Sequence, residues 1–246
     1  LNAKGVTPDV LFWVGCAGSF DERAQKITKA MAKILSHLEI NFAILGKEES
    51  CTGDPAKRSG NEFLFQMQAM NNISIMKGYG ITKILTTCPH CFNTLKNEYP
   101  DLGGNYDVMH HTSYIQDLIN QGKLTFGKGD YKGKKITYHD SCYIGRANGI
   151  YDAPRDILKK LDAELVELKR CRSNGFCCGA GGAQIFKEAE KGTKEVNVER
   201  AEEALETKAT IVASNCPFCM TMLSDGVKHF NKEGEVQVMD LAELVA

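Results

Sequence analysis

Ten cysteines carry the chemistry legible in this chain: Cys16, Cys51, Cys88, Cys91, Cys142, Cys171, Cys177, Cys178, Cys216 and Cys219. A thiolate is a nucleophile, a redox couple and a soft metal ligand. The order C…C…CxxC occurs twice, and equivalent cysteines are separated by 126 residues in the first two pairs and by 128 in the last two. So constant an offset marks an internal duplication into two domains of about 120 residues. Chains of this size build a core without disulfide staples, and nothing in the sequence directs secretion, so metal or redox chemistry leads. Thioredoxin-like chemistry would use one CxxC and needs neither the distant cysteines nor a second copy. Zinc accounts for four thiolates. The second half offers five in its motif: Cys142, Cys177, Cys178, Cys216 and Cys219. Gly179, Gly181 and Gly182 follow the Cys-Cys pair, so the backbone there can approach something larger than one ion. An iron-sulfur cluster is therefore favoured, with zinc the open alternative. Cys171 has no partner in the first half and reads as a small buried hydrophobe.

These cysteines need strands to position them. Asp9–Val14, Asn41–Leu45, Lys83–Thr87 and Asp107–Met109 are runs of strand length and composition, with helical spacing between Phe20 and Leu38, Asn61 and Tyr79, and Thr112 and Ile119. The second half repeats the order with strands at Lys135–Tyr138, Ala163–Leu168, Thr210–Ala213 and Glu235–Met239, and helices from Ala153 to Leu161 and within Asn197 to Thr207. Alternating strands and helices predict an α/β fold, each half a small, mainly parallel sheet flanked by helices. Every motif cysteine then falls at the carboxyl end of a strand, where open α/β sheets hold ligands. The two CxxC pairs, Cys88-Pro-His-Cys91 and Cys216-Pro-Phe-Cys219, are expected at helix N-termini. The Gly- and Lys-rich stretch from Gly122 to Lys135 predicts the junction, with domains 1–129 and 130–246.

Composition narrows the partners. Thirty Lys plus Arg against 31 Asp plus Glu leave a net charge of -1, which argues against nucleic acid and an anionic membrane surface. No stretch approaches the roughly 18 apolar residues of a membrane span, so no direct membrane insertion is expected. A cytoplasmic location is expected. The start at Leu1 raises the expectation of a segment from a longer protein, held at the inner face of a membrane through a further segment or partner.

The string Phe176-Cys-Cys-Gly-Ala-Gly-Gly182, with His139-Asp-Ser-Cys142 before it and Asn215-Cys-Pro-Phe-Cys219 after it, resembles the cysteine-rich CCG domain. That domain normally occurs twice, as in the catalytic subunits of heterodisulfide reductase, in iron-sulfur subunits of anaerobic dehydrogenases, and in membrane-linked reductases paired with electron-transfer flavoprotein. The resemblance implies that Cys142, Cys177, Cys178, Cys216 and Cys219 hold a non-cubane 4Fe-4S cluster. The first half departs from the motif: Cys51-Thr52-Gly53 aligns with Cys177-Cys178-Gly179, so Thr52 replaces a ligand. Cys16, Cys51, Cys88 and Cys91 remain, which suits a cubane 4Fe-4S cluster. Phe12–Cys16, Cys51–Arg58 and Tyr143–Arg155 look most like the branch linked to electron-transfer flavoprotein.

The expected function is that of an iron-sulfur oxidoreductase module relaying electrons from a redox partner, electron-transfer flavoprotein or a ferredoxin-type domain, to an acceptor at the second cluster. Direct reduction of a substrate disulfide is the rival reading, and a zinc-stabilised interaction module the non-enzymatic one. Cys178, His139 and Asp140 are the expected catalytic groups, the last two either managing protons or holding the strand end by hydrogen bonds. Gly53, Gly179, Gly181 and Gly182 are expected to line the cofactor. His90, between two presumed ligands, reads as a donor to sulfur or a proton carrier. His110 and His111 read as capping or surface groups, and Phe12 and Trp13 as core.

Overall fold

The computed structural model describes residues 7–126, 129, 131–189 and 191–246. The run Val10–Trp13, buried at all four positions, forms β1. Strand alternation sends Val10 and Phe12 to one face, against Met31, Ile34 and Leu35. Leu11 and Trp13 take the other, packing in a cluster with Phe65, Ala69, Cys88 and Cys91. Where one helix from Phe20 to Leu38 was expected there are two, α1 (Gly15–Phe20) and α2 (Glu22–His37). Asp21 is extended between them and its carboxylate accepts from Ala24 N at 2.7 Å, capping α2. A Cβ on Gly18 would stand 2.6 Å from Thr28 Oγ1, so glycine is what lets α1 fold back onto α2.

The first half continues through β2 (Phe42–Ala43), α3 (Asp54–Arg58), α4 (Glu62–Gly78), β3 (Lys83–Thr86), α5 (Pro89–Asn93), β4 (Asp107–His110) and α6 (His111–Asn120). The second follows with β5 (Lys135–Tyr138), α7 (Asp152–Lys160), β6 (Glu164–Val166), α8 (Val196–Glu206), β7 (Ile211–Ser214), α9 (Pro217–His229), β8 (Gln237–Asp240) and α10 (Leu241–Val245). Each half is a four-stranded parallel sheet, ordered β2-β1-β3-β4 and β6-β5-β7-β8. The two orders are the same order, so the duplication read from the cysteines is a duplication of fold. The junction expected at 129/130 falls where residues 127, 128 and 130 lie outside the described ones; α6 and β5 flank it.

The halves share a core. Val10, Phe12, Met31 and Leu35 belong to the same buried cluster as Ile136, Tyr138, Ile157, Leu158, Ile211 and Leu241. α10 packs on α2, and α6 on α7, which is one contact repeated about a pseudo-two-fold axis. Polar contacts fasten it: Arg23 donates to both oxygens of Glu243 and to Val238 O at 2.7 Å. His111 Nε2 lies 2.9 Å from Asp240 Oδ1, with both side chains fully buried. His110 is buried as well and caps α6 by accepting from Thr112 N. Of the two roles expected for this pair, capping holds for His110, whereas neither residue lies at the surface. Among the described residues, no helix is long and apolar enough to cross a membrane.

Candidate metal centres

At the first site, Cys16 rides on α1 just beyond β1 and Cys51 lies in the loop before α3. Cys88 is the N-cap of α5, and Cys91 sits in its first turns. Both are buried, in the same cluster as Trp13. Glu49 accepts from Val14 N at 3.1 Å and Gly15 N at 2.6 Å, which pins the chain entering Cys16. Burial pushes the Glu49 carboxyl up to about 7 despite those two donors. Gly53 has φ of 90°, and its N–H donates to Cys51 Sγ at 3.4 Å. A Cβ there would meet Phe65 Cδ2 at 2.7 Å, so glycine is required for both conformation and space. Thr52 is buried, and its hydroxyl donates to Cys91 Sγ at 3.9 Å. The residue replacing a cysteine thus still faces the thiols.

The second site repeats this arrangement with one more sulfur. Cys142 follows β5, Cys177 and Cys178 lie in the loop before α8, Cys216 caps α9 and Cys219 lies in its first turn. Cys178 Sγ is 3.2 Å from Cys219 Sγ, and Ser141 Oγ donates to Cys219 Sγ at 3.6 Å. Gly179, at φ of 95°, gives its N–H to Cys177 Sγ at 3.3 Å, the counterpart of the Gly53 bond. A Cβ at Gly181 or Gly182 would meet nothing within 4 Å, so packing does not require glycine there. Cys171, half-buried at the start of a short turn, Arg172–Asn174, packs against the cluster that holds Cys178, Cys216 and Cys219. We expect Cys171→Ser to leave metal content unchanged in elemental analysis; a loss of metal would show it to be a ligand.

The thiols of each set act on one another. Cys51 is pushed up by its hydrogen bond with Cys16 and by burial, while the same bond pulls Cys16 down. In the second half Cys142 is pushed up by its bond with Cys177 and by burial, and Cys177 is pulled down. Cys91 and Cys178 are raised by hydrogen bonds to neighbouring thiols, by burial and by neighbouring thiolate charge. A polycationic group among these sulfurs removes the burial and repulsion penalties together, since coordination deprotonates a thiol outright. All ten cysteines are free of disulfides.

The donor sets fit a cluster: four thiols at the first site and five at the second, one more than a tetrahedral zinc takes. At the second site, ligand atoms of His139, Cys178 and Cys219 lie within 4.8 Å of one another. His139 itself is not a ligand, because its Nδ1 accepts from Arg200 Nε at 2.9 Å. An arginine can only donate, so a neutral His139 carries its proton on Nε2, leaving no free lone pair. Burial and then Arg200 hold its pKa down at about 3.

Of the two roles expected for Asp140, its contacts are those of a strand-end hydrogen-bonding group. Its oxygens receive Arg155 Nη1 at 2.8 Å and Nη2 at 2.9 Å, and Arg172 N at 2.6 Å. Arg155 also reaches Glu167, at 2.6 and 2.9 Å. The contacts make Asp140 an anchor for the cysteine-bearing loop rather than a free acid. His90 Nδ1 lies 2.8 Å from Asp54 Oδ2. Burial opposes charge on His90, but the Asp54 carboxylate and the Cys88 charge together outweigh it and the pKa rises.

The two sites meet. His90 and Phe218 occupy the same place in the two CxxC turns, and their rings pack edge to face with centroids 5.2 Å apart. Tyr143, next to Cys142, also packs on His90, with ring centroids 4.6 Å apart. Burial pushes the Cys216 thiol up to about 11, and the charge of Cys88 from the other half adds to that rise. Glu49, Asp54, Arg155 and Arg200 were missed from sequence. For Arg155 a signal existed: a charged residue on the same helix as the apolar Ile157 and Leu158, two and three positions on.

The family model for the cysteine-rich domain, CCG, matches residues 10–96 and again 136–224. The "Probable iron-sulfur-binding oxidoreductase FadF" of Bacillus subtilis is 45% identical over 247 residues, covering 100% of this chain and 35% of that protein. The "EtfAB:quinone oxidoreductase" of Syntrophomonas wolfei is 41% identical, with the same two coverages of 100% and 35%. A component of the dihydromethanophenazine:CoB–CoM heterodisulfide reductase of Methanosarcina barkeri is 34% identical, over 97% of this chain and 58% of that one. The chain thus spans about a third of the first two relatives and little more than half of the third. With a match in each half, and both on the strand-end cysteines described above, the chain belongs to the cysteine-rich CCG domain family in duplicate.

Proposed function

We propose that the chain is the two-centre iron-sulfur module of an oxidoreductase and relays electrons between a redox partner and an acceptor. Cys16, Cys51, Cys88 and Cys91 would hold one 4Fe-4S cluster, and Cys142, Cys177, Cys178, Cys216 and Cys219 the other. Such clusters accept and release single electrons at potentials set by charge, burial and hydrogen bonds to sulfur. The observation that carries the reading is the contact of His90 with Phe218, which packs against both the cluster holding Cys88 and Cys91 and the cluster holding Cys178, Cys216 and Cys219, and so would bring two redox sites side by side. A zinc-stabilised interaction module has no use for that adjacency.

The names of the relatives support the same reading. An EtfAB:quinone oxidoreductase at 41% identity points to electron-transfer flavoprotein as donor and to a quinone, a membrane-soluble carrier, as the eventual acceptor. The module would then work beside a membrane through a further segment or partner. Asp54, itself held by Arg58, holds His90, and Glu49 holds the approach to Cys16. The proof is a reductive titration of anaerobically prepared protein followed by electron paramagnetic resonance. Two centres whose signals broaden or split once both are reduced support the relay, and two magnetically independent signals contradict it.

The two centres are proposed to differ in type, cubane in the first half and non-cubane in the second. Thr52, buried and aimed at Cys91, is what separates them. Thr52→Cys is expected to move the first centre's spectrum toward the second's without loss of iron. Identical spectra for both centres in the unaltered protein would remove the asymmetry.

A further inference from the structure

We infer that Trp13 and His139 are equivalent N–H donors, each hydrogen-bonding a sulfur of its own centre and raising that centre's reduction potential. The inference rests on the iron-sulfur reading above. Trp13 lies three residues before Cys16 and His139 three before Cys142, so the duplication that relates the cysteines relates these two as well. Both emerge at the carboxyl end of the first strand of their sheet, and both are buried.

Trp13 is the informative member. Its side chain is fully buried in the cluster that contains Cys88 and Cys91. Its indole Nε1 has no hydrogen-bond partner among the described residues. An indole nitrogen can only donate, and a buried donor left unpaired is destabilising. A core position that needed only bulk would be filled as well by Phe. A centre held by Cys88 and Cys91, which share that cluster, would supply acceptors, either thiolate or inorganic sulfide.

His139 shows the same design with the donor held in place. A ring nitrogen lies within 4.8 Å of both Cys178 and Cys219 sulfurs. The Arg200 bond to Nδ1 leaves the proton on Nε2, the nitrogen free to meet sulfur. Arg200 in turn is fixed by Arg170 O at 2.9 Å and Glu203 at 3.1 Å, so the tautomer is enforced by a buried chain of contacts. Indole and imidazole thus serve one purpose in the two halves.

A hydrogen bond to sulfur favours the more negative, reduced cluster, so removing it lowers the potential. Trp13 is the chain's only tryptophan, which allows a selective test. In protein carrying 15N-indole tryptophan, pulsed electron paramagnetic resonance of the reduced first centre is expected to show coupling to one nitrogen. Trp13→Phe should abolish the coupling and shift the first centre's reduction equilibrium about tenfold toward oxidised, about 59 mV for one electron, with the second centre unmoved. His139→Leu should shift the second centre the same way and leave the first alone. A reduced first centre with no indole coupling in unaltered protein overturns the donor assignment and needs no variant to fold. Absence of any paramagnetic centre overturns the iron-sulfur reading and the inference with it.

Discussion

Asp140→Asn will destabilise the protein by about 3–5 kcal/mol, the usual consequence of stripping one partner from a buried ion pair. The side chains of Arg155 and Asp140 are 1% and 4% exposed. Arg155 reaches two carboxylates, and the other, Glu167, is 37% exposed. Without the Asp140 charge, the buried guanidinium keeps that outer carboxylate and the Tyr151 carbonyl, and the single amide oxygen of Asn is left to serve both Arg155 and Arg172 N, at the base of the turn that leads to Cys177. Chemical denaturation of the metal-loaded protein measures the loss. A cost below about 1 kcal/mol would mean that Glu167 and water carry Arg155 unaided. Asp140→Leu combined with Arg155→Met should cost less than the sum of the single changes, because the pair is removed together.

Cys219→Ser is expected to empty the second centre while sparing the first. Cys219 is buried, lies 3.2 Å from Cys178 Sγ, and receives the Ser141 hydroxyl. It therefore sits where the Cys-Cys loop and the start of α9 converge. Iron should fall by about half, from about eight per chain to about four. Because metal binding is part of folding free energy when a site is not preformed, unfolding of the second half should come earlier as well. Full iron content in this variant would place the ligands elsewhere.

Local patterns carried most of the fold. Lys135–Tyr138 is a strand over the expected residues, and the constant cysteine offset foretold two copies of one sheet. Short elements were harder. The Gly-rich segment Gly15–Phe20 has little helix propensity and is helical because Gly18 allows close packing on α2. α10 was missed although Asp240 and Glu243 form a capping box that the sequence displays. The cysteines were legible because they repeat. Their supports were not, because Asp140–Arg155, His139–Arg200 and His90–Phe218 are tertiary contacts between elements whose meeting no local pattern specifies. His90 and Phe218 hold equivalent positions, yet it takes the packing of the two halves, α2 on α10, α6 on α7 and α1 and α2 on α9, to turn that equivalence into contact.

Iron and acid-labile sulfide, measured with zinc on protein purified without oxygen, decide whether these thiols hold clusters at all. Two clusters require about eight iron and a matching amount of sulfide per chain. One or two equivalents of zinc with neither iron nor sulfide would contradict the two-centre reading and make the cysteines structural.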